Sequence, residues 1–277
     1  MIYKKGGKLK MANTPYENFV LEDKIEDQYN SHLDLQRFCT IDNTLELSEG
    51  MKKVVHVYSA SNSVKKVAQG EGNDTASKVT FASKEYVIGC AQGWFQYNDE
   101  EAMKDSQIVD AGTSHIAVDL FNTGNADVYG EFVKTTNVLA GATKIDFDLF
   151  VDLASLIPTT SKTDDEIKNM EIFAFLNPKD VATLRKNAKE TLQYVEAFAR
   201  EGYVGTIAGV NIYTKKDATQ GTIVGGTKEA VTWFNKKGTE VEQKRDPNLR
   251  QNDVFGRKYY VVALTDNTRA FKAVIAG

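Results

Sequence analysis

The chain has 277 residues and a formal net charge of −4, a length that suits one large domain or two modest ones. Hydrophobic residues are 42% and charged residues 26%, ordinary values for a globular protein, and the mild acidity gives no reason to expect tight nucleic-acid binding. No apolar run approaches the ~20 residues that cross a bilayer, and two cysteines, Cys39 and Cys90, make no disulfide framework, so the composition reads as a cytoplasmic product with reduced thiols.

The first ten residues lack the apolar core of a signal peptide. KKGGKLKM (Lys4–Met11) can be encoded by a purine-rich message resembling a ribosome-binding site followed by a start codon. Met11 is therefore the expected start, with a flexible basic tail as the alternative; on either reading residues 1–10 carry no fold. From 11 to 47 the apolar residues are scattered. Leu21, Ile25, Tyr29 and Leu33 fall at helical spacing, yet few apolar neighbours lie near enough in sequence to bury them. This predicts an extended arm with a short helix, docked on something else.

Residues 48–92 read as a long β-hairpin. Val55, Val57 and Ser59 alternate with His56 and Tyr58, and Val79 and Phe81 precede Tyr86-Val87-Ile88. Between them Gln69–Asp74 are glycine and turn-forming polar residues, the pattern of a polar tip. Arms of a dozen or so residues would reach ~40 Å at ~3.3 Å per residue. An isolated hairpin is marginal in water, so this one needs support from elsewhere.

Asn98 with Glu101 three residues on predicts an N-cap. Val109, Gly112, Ile116 and Leu120 share one face, which predicts a single long helix from Asn98 to Asn122, ending near NTGN (Asn122–Asn125). Ile145, Leu149, Leu153 and Leu156 mark a second helix, with Asp146 and Asp148 in its first turn and Pro158 after it. Acids at a helix N-terminus favour the dipole, and that reading is preferred to a catalytic carboxylate pair. Met170–Leu176 is a short buried-type strand; Asn177 and Pro178 then open a helix that Gly202 ends. Gly205 and Gly209 make a turn into a strand through Val210 and Ile212, and the remainder is β-rich. The fold class expected is α+β.

Chemistry-bearing motifs are absent. GTIVGGTK (Gly221–Lys228) puts Thr227 before Lys228, the reverse of the order a phosphate-binding loop needs. GEG at 70–72 sits in a hairpin, not between strand and helix. His32, His56 and His115 belong to no HExxH, and no CxxC occurs, so no metal site is expected. TDDEIKN (163–169) reads as a loop or cap. The short basic runs at Lys65-Lys66, Arg185-Lys186 with Lys189, and Lys236-Lys237 read as solvated faces. Trp233 and Tyr259-Tyr260 read as core or interface.

The order of parts is the informative signal: an arm, a long hairpin without its own core, a long helix, a strand–helix unit and a β-rich close. It resembles the major capsid protein of tailed bacteriophages, the Hong Kong 97-type capsid fold, from Met11 onward. FLNPKDVATLRK (175–186), GYVGTIAGVNIYTKKDA (202–218) and EAVTWF with VEQKRDPN and FGRKYYVVALTDNTRAFKAVI (229–275) are similar to the family's strand–helix unit, glycine turn and closing strands.

The resemblance implies an N-arm at 11–47, an E-loop at 48–92, a P-domain with its spine helix at 93–137, an A-domain at 138–225, and a closing β-rich segment at 226–277 that returns to the P-domain. It implies E-loop tip contacts to other copies through Lys65, Lys66, Glu71, Asn73, Asp74 and Lys78. It also implies hexamers and pentamers in an icosahedral shell around double-stranded DNA, which the shell does not bind sequence-specifically. Implied partners are a separate scaffolding protein, because only about 37 residues precede the hairpin, and a portal protein, with no membrane. The chain would be a virion protein assembled in the host cytoplasm, with no enzymatic activity and no cofactor. Lysine crosslinking through Lys65, Lys66, Lys78 or Lys84 is not expected, lysines being common on exposed hairpins. The alternatives are an encapsulin-type nanocompartment, an enzyme with an unrecognised carboxylate site, and another homopolymeric phage part such as a tail tube.

Overall fold

The computed structural model describes residues 35–46, 48–60, 64, 66–73, 76–105, 107–157, 171–187 and 203–275. The expected arm helix on Leu21–Leu33, residues 1–10, His32, the 163–169 segment and the helix end at Gly202 lie outside these residues. Helices and strands mix along the described chain, as expected for α+β. Among the described residues no helix is long and apolar enough to cross a membrane.

The strands are β1 (Thr40–Asp42), β2 (Lys52–Ala60), β3 (Val79–Val87), β4 (Gly89–Asn98), β5 (Val138–Leu139), β6 (Ile172–Leu176), β7 (Tyr203–Ile207), β8 (Val210–Thr214), β9 (Thr222–Gly226), β10 (Val231–Asp246), β11 (Gln251–Leu264) and β12 (Ala270–Val274). The helices are α1 (Asp99–Lys104), α2 (Ile108–Val133), α3 (Phe147–Ser155) and α4 (Pro178–Asn187), with a 3₁₀ turn at Leu35–Phe38. The sheets run β1-β10-β11-β4, β5-β12-β9-β6-β8-β7, and β2-β3 alone. The chain divides into two compact units.

The first unit contains residues 91–122 and 238–258. Its core joins Tyr97, Val109, Ile116, Ala117, Leu120, Val241 and Val254. Strand β4 alternates: Ala91, Gly93, Phe95 and Tyr97 turn inward, Gln92, Trp94 and Gln96 outward. Helix α2 approaches closely because position 112 is glycine. A Cβ there would lie 2.4 Å from the Phe95 ring.

The long helix corrects the sequence expectation at both ends. Asn98 does open a helix, its N–H donating to Glu101 Oε2 at 3.0 Å, but that helix stops at Lys104. Asp105 is extended (φ −140°, ψ 109°), and its carboxylate accepts from Gln107 N at 2.9 Å. Such an Asx-type bond lets the backbone leave one helix and begin another. Helix α2 then runs through the expected stop at Asn122–Asn125 to Val133, about 39 Å at ~1.5 Å per residue. An interior glycine costs only ~1 kcal/mol, and burial of Leu120, Val128 and Phe132 outweighs it. Asn125 does not cap a terminus; its Oδ1 accepts from Leu35 N at 3.2 Å.

The second unit contains 35–90, 123–237 and 259–275 among the described residues. In its six-stranded sheet β6 and β8 are parallel, while β9 runs antiparallel to both β6 and β12. Leu149, Phe150 and Leu153 of α3 and Val181 and Leu184 of α4 pack with Ala174, Leu176, Ile212, Ile223 and Phe271. Asp146 is the N-cap of α3, its carboxylate accepting from Leu149 N at 3.0 Å. Asn177 caps α4, accepting from Lys179 N at 3.0 Å. The glycines of GTIVGGTK lie in or beside a strand. A Cβ on Gly225 would lie 2.0 Å from Phe173 O, and one on Gly226 2.2 Å from Arg269 O. They are glycines because two neighbouring backbones leave no room.

Strands β7 and β8 meet at a two-residue turn in which Ala208 (φ 50°) and Gly209 (φ 80°) both have positive φ, the type I′ pattern. The left-handed conformation costs an L-residue about 1–2 kcal/mol, and asparagine tolerates it best. Ala208→Asn is expected to stabilise the protein by about 0.5–1 kcal/mol, a rise of roughly 2–4 °C per kcal/mol in thermal unfolding; an unchanged or lower midpoint would contradict this account of the turn.

Candidate assembly surfaces

The hairpin of β2 and β3 pairs antiparallel from Lys52↔Val87 to Ala60↔Val79. Residues facing each other across the ladder lie on one face. Val55 and Tyr86 share the inner face at the base, where they pack on Leu45, Ile88, Phe234 and Ala263. The Tyr86 hydroxyl donates to Leu264 O at 3.3 Å. Lys53 reaches Asp42 Oδ2 at 3.4 Å and Thr44 Oγ1 at 2.9 Å. Burial raises the Asp42 carboxyl pKa, but hydrogen bonds from Thr44 and the Lys53 charge outweigh it, and the net shift is downward. A depressed pKa means stabilisation present above the ordinary carboxylate range and lost as pH falls through the folded value. This latch therefore weakens in acid.

Beyond the base the hairpin is exposed. Along β3 every described residue is exposed except the half-buried Tyr86, with Phe81 at 66% and Val79 at 63%. The outer face carries Val54, His56, Val79, Phe81, Ser83 and Val87. His56 Nδ1 and Ser83 Oγ lie 2.9 Å apart, the His56 and Phe81 rings meet edge-on at 5.7 Å, and Lys52 pairs with Glu85 at 3.3 Å. These contacts give the outer face a mixed apolar and polar character. Of the six tip residues singled out in the sequence, Lys66, Glu71, Asn73 and Lys78 are exposed, and Lys65 and Asp74 lie outside the described residues. Gly70 takes φ 90° at the turn, with Glu71 N donating to Ala68 O.

A second surface escaped the sequence reading. On the outer face of the first unit's sheet the Trp94 and Phe255 rings stack at 5.9 Å, 19° from parallel, and Trp94 is 57% exposed. Arg257 lies over Phe255, donates to Gln92 at 2.7 Å and pairs with Glu242 at 2.8 Å. The available signal was alternation: Trp94 falls in step with Gln92 and Gln96. Trp233, read from sequence as core or interface, is 2% exposed and stacks on Tyr260 at 4.2 Å; the Tyr260 hydroxyl donates to Asp127 at 2.8 Å.

Residues weighed for chemistry have structural places. His115 is exposed on α2 beside Asp119 at 3.6 Å, and Lys236 donates to the carbonyls of Leu45 and Ser48. Cys39 is buried, and burial, only partly opposed by Lys228, pushes its thiol up to about 12. It stays protonated and unreactive at neutral pH. Native protein is therefore expected to titrate one thiol, the exposed Cys90, and two after denaturation; two reactive thiols in native protein would refute the buried placement of Cys39.

The described elements define a class of fold, an α+β architecture shared with solved capsid and encapsulin structures. The chain matches the capsid of Ralstonia phage GP4 with a TM-score of 0.64 at 8% identity, over 90% of this chain and 91% of that one. It matches the holo-SrpI encapsulin complex from Synechococcus elongatus with a TM-score of 0.61 at 11% identity, over 87% and 86%. In sequence it is 23% identical to the major capsid protein of Staphylococcus phage phiMR11, with 91% of each chain covered. No protein-family model matches. The chain thus has the fold of phage capsids, and it resembles a phage major capsid protein in sequence as well as in the order of its parts.

Proposed function

We propose that this chain is the major capsid protein of a tailed phage, assembling through hexamers and pentamers into an icosahedral shell around double-stranded DNA. The observation that carries the reading is the hairpin: tied down at its base by Val55 and Tyr86, it extends an exposed outer face that one subunit has no use for. Ordering its residues costs about 1–2 kcal/mol each in backbone entropy, and burial against other copies would offset that. The capsid fold and the phiMR11 relative support the same reading.

On this reading 11–47 is the N-arm, 48–92 the E-loop, 93–137 the P-domain with α2 as spine, 138–225 the A-domain, and 226–277 the closing segment. The tip residues Lys65, Lys66, Glu71, Asn73, Asp74 and Lys78 touch neighbouring copies. The chain is a structural protein of the virion, assembled in the host cytoplasm with a separate scaffolding protein and joined to a portal. Helix α2 carries four carboxylates and no lysine or arginine, which suits a wall that does not adhere to packaged DNA.

The test is expression of Met11–Gly277, alone and with the scaffolding protein of the same genome, imaged by negative-stain electron microscopy. Closed shells of uniform diameter that depend on scaffold are expected. Scaffold-independent shells that co-purify with a protein cargo would favour the encapsulin reading, for which the Synechococcus complex is the structural precedent. Only small particles under both conditions would overturn both.

A further inference from the structure

A small pocket lies within the second unit, away from the hairpin. It has a volume of about 300 Å³ and is lined by Arg37, Phe38, Glu171, Phe173, Tyr213 and Lys228, which places it at the lower end of the size range of small-molecule sites. Its floor is aromatic and fixed. The Phe38 ring lies 4.6 Å from that of Phe173 and 4.7 Å from that of Tyr213, and Phe38 and Phe173 are buried. The 3₁₀ turn at Leu35–Phe38 delivers Phe38 to this floor; β6 and β8 supply Phe173 and Tyr213.

The charged groups stand at the mouth, where Arg37, Glu171 and Lys228 are exposed. The Arg37 guanidinium lies over both the Phe38 and the Tyr213 rings, at 5.1 and 5.6 Å, and these cation–π contacts hold it in place. Lys228 ends GTIVGGTK, the run whose residue order argued against a phosphate loop. Among the described residues the side chains of Lys228 and Glu171 make no ion pair or hydrogen bond, with each other or with any other group. Opposite charges thus share one small pocket without neutralising each other, above an aromatic floor. A ligand that satisfies every wall carries an anion, a flat ring and N–H donors set apart from the anion. A phosphate monoester suits the fork of an arginine and the point charge of a lysine. A base lies against aromatic rings whatever its sequence, and a carboxylate accepts from a base's amino group. A free amino acid carries both its charges on one carbon and does not reach separate partners.

We propose that this pocket binds a nucleoside monophosphate with an amino-substituted base, the phosphate held by Arg37 and Lys228 and the amino group by Glu171. A free nucleotide and an unpaired nucleotide at the end of a strand offer the same chemistry. A paired duplex keeps its bases in the stack and is not a ligand. The pocket is complete within one chain, so its occupation does not depend on assembly.

The test uses the full chain as unassembled subunit, titrated calorimetrically with deoxyguanosine monophosphate (dGMP), thymidine monophosphate and inorganic phosphate. Binding of dGMP at one site per chain is expected, tighter than that of thymidine monophosphate, which has no amino group, and tighter than that of inorganic phosphate. Lys228→Ala should weaken dGMP binding about tenfold, the worth of a charged hydrogen bond, with melting unchanged because Lys228 is exposed. Glu171→Ala should abolish the preference for dGMP over thymidine monophosphate and leave phosphate-dependent binding in place. Displacement of dGMP by a single-stranded 5′-phosphorylated oligonucleotide would identify a strand end as the source, and failure to displace it a free nucleotide; either supports the site. No binding of dGMP, binding untouched by Lys228→Ala, or equal affinity for dGMP and inorganic phosphate would overturn it. None of these results bears on whether shells form, so either reading can fail while the other stands.

Discussion

Replacing the hairpin tip Gln69–Ser77 by a short Gly-Ser turn should leave the subunit folded and prevent shells from closing. The tip is exposed wherever it is described, and the hairpin's own anchorage, Val55 and Tyr86 on the Phe234 core, lies at the other end of the strands. Changes on exposed surface away from such anchors are usually within about 0.5 kcal/mol, so thermal unfolding of the subunit should barely move. Assembly of the proposed shell is different, because there the same contact would recur at every subunit. A loss of ~1.4 kcal/mol weakens each contact tenfold, and a ring multiplies the loss. Electron microscopy should show free subunits or open pieces in place of shells. Normal shells would mean that the tip is dispensable and that the hairpin is supported by another route.

The second large effect belongs to one glycine. Gly225→Ala should destabilise the second unit by about 3 kcal/mol or more, at or beyond the upper end of overpacking costs. The added methyl carbon meets Phe173 O at 2.0 Å and Ala174 Cα at 2.8 Å. Both are backbone atoms of β6, held by pairing to β8 and β9, so no side chain can swing away. The midpoint should fall by roughly 2–4 °C per kcal/mol, or the protein should accumulate insoluble. Gly130→Ala is the internal control. It lies in α2 with nothing within 4 Å of the added carbon, and removing a helical glycine should gain up to ~1 kcal/mol. Equal behaviour of the two variants would refute the close-approach account of GTIVGGTK.

Local patterns were readable wherever one element settles its own fate. The alternation around His56 and Phe81 foretold the hairpin, the Ile145–Leu149–Leu153 stripe foretold α3, although Asp146, read from sequence as a first-turn residue, is its N-cap, and Asn177-Pro178 foretold α4. The reversed Thr227-Lys228 order argued against a phosphate loop, and the order of parts pointed to a capsid fold. These signals depend on backbone preference and periodicity within a few turns of chain.

What only the tertiary structure decided depends on partners far away in sequence. Whether Asn122–Asn125 stops a helix turned on Leu35, ninety residues earlier, and on the burial of Val128 and Phe132. The parallel pairing of Thr40–Asp42 with Thr232–Phe234 leaves no local trace. The crowding that requires glycine at 225 comes from β6. Trp94 had a local signal in its alternation with Gln92 and Gln96, but only its stack on Phe255 made a surface of it. Local free energies are of the order of 1 kcal/mol per residue, and packing between distant segments is large enough to overrule them.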